Sequence, residues 1–359
     1  MTLDAAAILG DPVFQLNATL WMLQPAPPGA PIRPVLRDVG YLLSALAREL
    51  PAPVALRPSL NALVGSDTAP APDVLAEPPA ATPWLVIECK GSSFGPDSST
   101  ARQALKLLTV SRDLSSSLGL SAGTQRPGFV VYLTRLEDRD RLLGTLLELR
   151  QRLTEAGVPA GPAGALGLFR SDDGDVCVQR SPGDSGGWPE PAASALEPPA
   201  RIIRLDPEED PRPLYLVPWD PSVQQDREMR AFCRSVLYAR VAAETIAVLG
   251  HETVPQRTIL KVESLLSSAT FGVSDRWRSK SDLARTIRDC KRFLADALAP
   301  VSERLGLVQA VDPHRIELTL RTQADLDEAI EALVRANPLG GPAAEPENQL
   351  SLLDNLGET

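Results

Sequence analysis

Asp73 is followed, fifteen positions on, by Glu88 and Lys90, which flank Cys89 at the end of the apolar run WLVIECK. On an extended segment, residues two apart face the same side. Glu88 and Lys90 therefore project together and Cys89 projects oppositely. Desolvating an acid and a lysine at the end of a buried strand is costly unless they face a cleft, a metal or each other. Asp73 follows Pro72 on a segment that a hairpin could pair with that strand. Two carboxylates and one ammonium at one spot can hold a divalent cation and a water, the apparatus of metal-assisted phosphodiester hydrolysis. Only five of the 36 basic residues are lysines. Arginine is the default cation of this chain, and only lysine can have its pKa tuned by burial. The alternative is a salt-bridged pair capping a strand end, with Asp73 in an unrelated turn. Asp67, in the GSD turn, is a second candidate for the first acid.

Positioning these groups requires a sheet. Residues 84–90 and GFVVYLT at 128–134 are continuous apolar runs of the kind that form buried central strands. Val35, Val39, Leu42, Leu43, Leu46 and Leu50 stand at helical spacing and predict a helix over 35–50, ended by Pro51. The prolines between 51 and 83 leave only short extended pieces, VALR at 54–57 and DVLA at 73–76. Helical spacing returns over 100–118, with Thr100 as a cap, and over 138–156. ALGLFR and DVCVQR around SDDG predict a hairpin. The order describes an α/β core with a mixed sheet.

A PD pair on one strand and E-x-K at the end of the next, after a helix and before a helix, resembles the PD-(D/E)XK nuclease superfamily over roughly residues 35–135. The resemblance implies a restriction-endonuclease-like core and nuclease activity dependent on Mg²⁺ or Mn²⁺. Asp73 and Glu88 would match the metal-binding acids, with the carbonyl of Cys89 as a further ligand. Lys90 would match the lysine that positions or activates the attacking water, and the products would carry a 5′-phosphate and a 3′-hydroxyl. The family's first helix often supplies another acid, for which Glu49 is best placed, with Asp38 behind it. Gln103 falls where some members carry a glutamine, but Leu107 stands where a tyrosine would follow. The loop GSSFGPDSST is small and polar enough to approach a backbone closely. Arg102 and Lys106, four apart on the next helix, could meet flanking phosphates or form an ordinary solvated face.

The second half reads differently. A proline-rich acidic stretch over 181–221 holds the short strands RIIRL and PLYLV. Helices follow at 222–249, 256–268, 281–289 and 291–305, then a strand at 315–320 and a helix at 323–336. Residues 276–292 carry seven bases against two acids. Arg276, Arg278, Lys280, Arg285, Arg288, Lys291 and Arg292 are the candidate DNA contacts. Two helices, a small-residue turn at 305–308 and a strand look like a winged helix. The alternative is a helical packing or dimerisation domain, which would make a homodimer. Residues 338–359 have the composition of a disordered tail. Within it Gln349, Leu350, Leu352 and Leu353 are similar to the short peptide by which bacterial repair and replication proteins bind the sliding clamp, with Leu353 in place of the usual phenylalanine. The expected division is a core over 1–180, a connection over 181–221, a mainly helical domain over 222–337 and the tail.

Composition bounds the alternatives. Four cysteines without a CxxC and two histidines exclude zinc ribbons, HNH-type sites and most multi-histidine centres, and fit a reducing compartment. The opening MTLDAAAILGDP has no basic start and does not read as a signal peptide. No apolar run approaches the roughly 20 residues needed to cross a bilayer. A cytoplasmic protein without a membrane partner is expected. The net charge of −10 sits mostly in 172–210 (net −7) and 338–359 (net −4), so it does not exclude DNA. The expected function is endonucleolytic hydrolysis of DNA, in restriction, phage defence or repair. The alternative is a non-catalytic DNA-binding or scaffold subunit working with a separate ATPase or effector.

Overall fold

The computed structural model describes residues 8–24, 31–46, 48–65, 68–79, 82–120, 126–181, 187–197, 199–204, 227–251, 253–270, 274–276, 280–301 and 314–338. The chain divides into two compact units, Met1–Ala26 with Pro31–Arg212, and Pro27–Ala30 with Pro213–Thr359. Among the described residues, no helix is long and apolar enough to cross a membrane.

The first unit is mixed α/β. Its elements are α1 (Pro12–Leu23), α2 (Val35–Asp38), β1 (Leu42–Leu46), α3 (Arg57–Val64), β2 (Val74–Glu77), β3 (Trp84–Cys89), α4 (Ser99–Ser111), α5 (Leu114–Leu118), β4 (Gly128–Arg135), α6 (Leu136–Glu155), β5 (Ala163–Arg170), β6 (Val176–Arg180), α7 (Glu190–Ala195) and β7 (Ala200–Ile203). The seven strands lie side by side in chain order. β3, β4 and β5 are parallel, and the remaining neighbours are antiparallel. The central position of β3 explains its unbroken apolar run, since all six of its residues are buried. Trp84 and Val86 on one face join Leu105, Leu108, Tyr132, Leu142 and Leu146 in a core beneath α3, α4 and α6. On the other face α1 packs across β1, β2 and β3, with its start capped by the Asp11 carboxylate accepting from Val13 N–H at 2.9 Å.

The helix expected over 35–50 does not form. α2 spans one turn, Gly40 turns the chain at φ +95°, and residues 42–46 become a strand paired with β2. The same leucines serve both periods, and the open edge of β2 settles the choice by satisfying their backbone groups. The hairpin β5–β6 turns through Gly174 as expected. In the stretch expected to be irregular around two short strands, the strand at RIIRL forms as β7 at the sheet edge, α7 precedes it unexpectedly, and PLYLV lies outside the described residues.

In the second unit, α8 (Arg227–Gly250) is followed by β8 (Gln256–Lys261), α9 (Val262–Ala269), α10 (Lys280–Leu298), β9 (Arg315–Leu320) and α11 (Gln323–Arg335). Two corrections apply. Residues 256–261 are a strand paired antiparallel with β9, not the start of a helix. The helices expected at 281–289 and 291–305 are one continuous helix, so there is no turn near residue 290. Ile287, Cys290, Leu294 and Leu298 are buried along a single face. The turn expected at 305–308 lies outside the described residues, as does the clamp-like peptide at 349–353.

One close approach ties α1's leading turn to the motif strand. A Cβ at Gly91, the residue after Lys90, would stand 2.6 Å from the Gly10 carbonyl oxygen. Because that neighbour is backbone, it has no rotamer by which to yield. Gly91→Ala is expected to lower stability by about 1–3 kcal/mol. Urea unfolding checks this, and a variant as stable as the parent would refute the contact.

Candidate active site

β2 and β3 pair antiparallel from Val74↔Ile87 to Ala76↔Leu85. One step past that ladder, side chains take over from backbone. The Cys89 N–H donates to Asp73 Oδ2 at 2.7 Å, and the Asp73 N–H donates to Glu88 Oε2 at 3.2 Å. Glu88 Oε1 receives the Lys90 ammonium at 2.8 Å and the Gln103 amide of α4 at 2.9 Å. Four of the residues singled out from sequence, Asp73, Glu88, Lys90 and Gln103, thus converge on one carboxylate pair. Glu88 is 2% exposed while the Lys90 side chain is 26% exposed, so the cluster opens on the lysine side.

Two carboxylates and one ammonium leave a net negative charge in a mostly buried place. Burial raises the pKa of Glu88 to about 8, helped by Asp73 and opposed by Lys90 and the hydrogen bonds. Asp73 is also raised, by burial, against the pull of the Cys89 amide and Lys90. For Lys90, burial works downward, but the ion pair and hydrogen bond with Glu88 outweigh it and the net shift is upward. Lys90 is therefore a persistent cation. It can hold an oxygen anion but is unsuited to removing a proton from water at neutral pH.

Cys89 points away from the cluster. Its Sγ lies 3.6 Å from the Thr19 hydroxyl of α1, and burial raises the thiol well above its usual range, so no thiolate is offered to a metal. Lys106 is turned inward. Its ammonium donates to the Thr68 carbonyl at 2.8 Å and the residue is 8% exposed, so it does not face a flanking phosphate. Arg102 is exposed on α4.

The expected helical acid is not on a helix. Glu49 lies on the connection after β1, exposed, where the Leu50 N–H donates to the Pro70 carbonyl. Asp38 precedes β1 at the end that pairs with Glu77, away from Asp73. Asp67 lies outside the described residues. In the second unit Lys280, Arg285, Arg288 and Arg292 are exposed on α10 and Lys291 is half-buried. Arg276 falls in a short 3₁₀ turn, and Arg278 lies outside the described residues.

A side chain missed from sequence stands beside the cluster. Tyr132 of β4 is the in-register partner of Glu88 and is wholly buried. Its polar tip inside GFVVYLT is visible in the sequence, but its pairing with residue 88 is not.

Among the described residues, no group of three His, Cys, Asp or Glu side chains is arranged to hold a metal. The donor set is two carboxylates, both hard oxygen ligands with excess negative charge between them, and Asp73 Oδ1 accepts no hydrogen bond among the described residues. That chemistry fits Mg²⁺ or Mn²⁺ completed by waters or substrate oxygens rather than by a protein cage. No family model, curated protein or solved structure matches the chain.

The raised Glu88 pKa has a consequence for stability. In the unfolded chain Glu88 titrates near 4.5, and in the metal-free folded protein near 8. Between those values the folded state binds the extra proton, so stability falls as pH rises through that window and levels off above it. Urea midpoints of chelator-treated protein should decline from pH 5 to pH 8, and Glu88→Gln should flatten the decline. An equally steep decline in the variant would assign it elsewhere.

Proposed function

We propose that the first unit is a metal-dependent phosphodiesterase of the nuclease type and that its substrate is DNA. The observation that carries this reading is the meeting of Asp73, Glu88, Lys90 and Gln103 around one acid-rich, partly open cluster. Asp73 and Glu88 would hold Mg²⁺ or Mn²⁺. Bound there, the cation supplies charge neutralisation at the scissile phosphate and a place for the attacking water. Gln103 and the Asp73 amide fix the Glu88 carboxylate, and the Cys89 amide fixes Asp73. The Lys90 ammonium, charged and on the open side, would stabilise negative charge growing on phosphate oxygens.

The partner is inferred from the second unit. Arg285, Arg288 and Arg292 of α10 recur at helical spacing, are exposed, and oppose the buried Ile287, Cys290 and Leu294. Such a stripe suits a phosphate backbone. A second reading is favoured by one observation. Both acids are already cross-bonded to backbone amides, which a non-catalytic, DNA-binding or scaffold subunit with a nuclease-like core would also display.

Cleavage of linear, circular and single-stranded DNA with Mg²⁺ or Mn²⁺ separates the readings. Lys90→Ala is expected to reduce metal-dependent cutting about 10²–10³-fold. Cutting that survives the substitution would move the site elsewhere, and no cutting by either protein together with no Mn²⁺ binding would favour the scaffold. For the stripe, replacing Arg285, Arg288 and Arg292 together with alanine should weaken DNA binding across sequences and reduce the log–log salt slope by about 3. An unchanged slope would remove α10 from the interface.

A further inference from the structure

Two hydroxyls behind the carboxylate pair take no part in the chemistry described above. Tyr132 and Thr134 lie two apart on β4 and so share a face. Tyr132 pairs in register with Glu88, and the ladder runs on through Cys89↔Leu133, with the Lys90 N–H donating to the Leu133 carbonyl at 2.8 Å. In-register neighbours point to the same side of a sheet, which puts both hydroxyl-bearing residues on the Glu88 face. Both residues are 0% exposed. Neither Tyr132 Oη nor Thr134 Oγ1 has a hydrogen-bond partner among the described residues.

Burying one hydroxyl unpaired costs about 1–3 kcal/mol, and folded proteins rarely tolerate it. Two on adjacent positions of one face, beside a charged cluster, call for a partner that is not a side chain. The Tyr132 ring sits against Phe94, with centroids 5.6 Å apart, so the phenol is held in place by packing. Burial, and then the charges of Glu88 and Asp73, push its pKa well up, so the phenol keeps its proton and acts as a donor. The acceptors are at hand: Glu88 Oε2 receives only the Asp73 amide, and a carboxylate oxygen has two lone pairs. Phenol and carboxylate do not bond directly, and the buried oxygen atoms are closed to an incoming phosphate. A water has the size and the bonding pattern to join them, since buried waters make two to four hydrogen bonds.

We infer that a buried water links the Tyr132 hydroxyl to the Glu88–Asp73 carboxylate pair, with Thr134 as its second anchor, and that Tyr132 is thereby a positioning residue of the site. The inference rests on the reading of that pair as a metal site. Groups that orient metal-holding carboxylates typically change metal affinity or activity 10–100-fold when removed.

Tyr132→Phe deletes one oxygen and keeps the ring against Phe94. The expected results are density for a water about 2.8 Å from Oη in a high-resolution crystal structure of the metal-free wild type, and Mn²⁺ binding at least about tenfold weaker in the variant. The metal-free thermal midpoint of the variant should be unchanged or lower. A variant that melts higher and binds Mn²⁺ as well as wild type would overturn the inference, because that is how a hydroxyl buried without a partner behaves. Thr134→Val, which keeps the shape, should weaken Mn²⁺ binding in the same direction, and a silent Thr134→Val would remove the second anchor. The water's presence in a wild type that does not bind Mn²⁺ would uphold the bridge and sink the metal reading. Its absence in a wild type that does bind Mn²⁺ would sink the bridge alone.

Discussion

Where the β2–β3 ladder ends, two carboxylates continue it. Asp73 occupies the Cys89 amide and Glu88 occupies the Asp73 amide. Each acid therefore does a backbone's work as well as offering a charge. Taking away either one leaves a buried N–H unpaired, a loss of about 1–3 kcal/mol, in addition to any effect on chemistry. The reciprocity fixes the two acids relative to each other, and Gln103 of α4 adds a further hold on Glu88.

The charge balance around this lock decides what each group can be. Burial first, and then a second carboxylate that one ammonium does not offset, hold a proton on Glu88 into the neutral range. The pairing with Glu88, and then the charge of Asp73, keep Lys90 charged despite its partial burial. The cluster is thus an acceptor of positive charge with a cation on its rim. In the second unit the polarity is reversed: exposed arginines line one side of α10 and its apolar residues are buried on the other. Arginine suits that task because its planar fork fits phosphate oxygens.

How much was legible in the sequence depended on how local the deciding contact is. The 84–89 strand announced itself because it is covered on both faces, and the i, i+2 rule then placed Glu88 and Lys90 together. Gln103 came from the resemblance to the nuclease motif, some members of which carry a glutamine on the helix after the E-x-K strand. By contrast, Leu42, Leu43 and Leu46 fit a helix and a strand equally, and only pairing with β2, some thirty residues on, chooses. Lys106 is held inward by a carbonyl 38 residues away, which no local pattern reveals. The break assumed inside 280–298 had no glycine or proline to cause it, and there the sequence itself argued for one helix. Tyr132 was visible as a polar interruption, but its meaning depends on strand register. Register is a property of two segments rather than one.

The seating of α1 against the motif strand has a consequence for the order of folding. Thr19 meets Cys89 across 70 positions, and Gly10 meets Gly91 across a similar distance. Contacts of that separation are entropically expensive and form late. The ribosome has to release β3 and Gly91 before the first helix can find its permanent seat. The geometry between Asp73 and Glu88, fifteen positions apart, by contrast needs only the pairing of β2 with β3. The earliest-made segment of the chain thus closes the back of the sheet, on the face opposite the carboxylate pair, only after the motif strand exists.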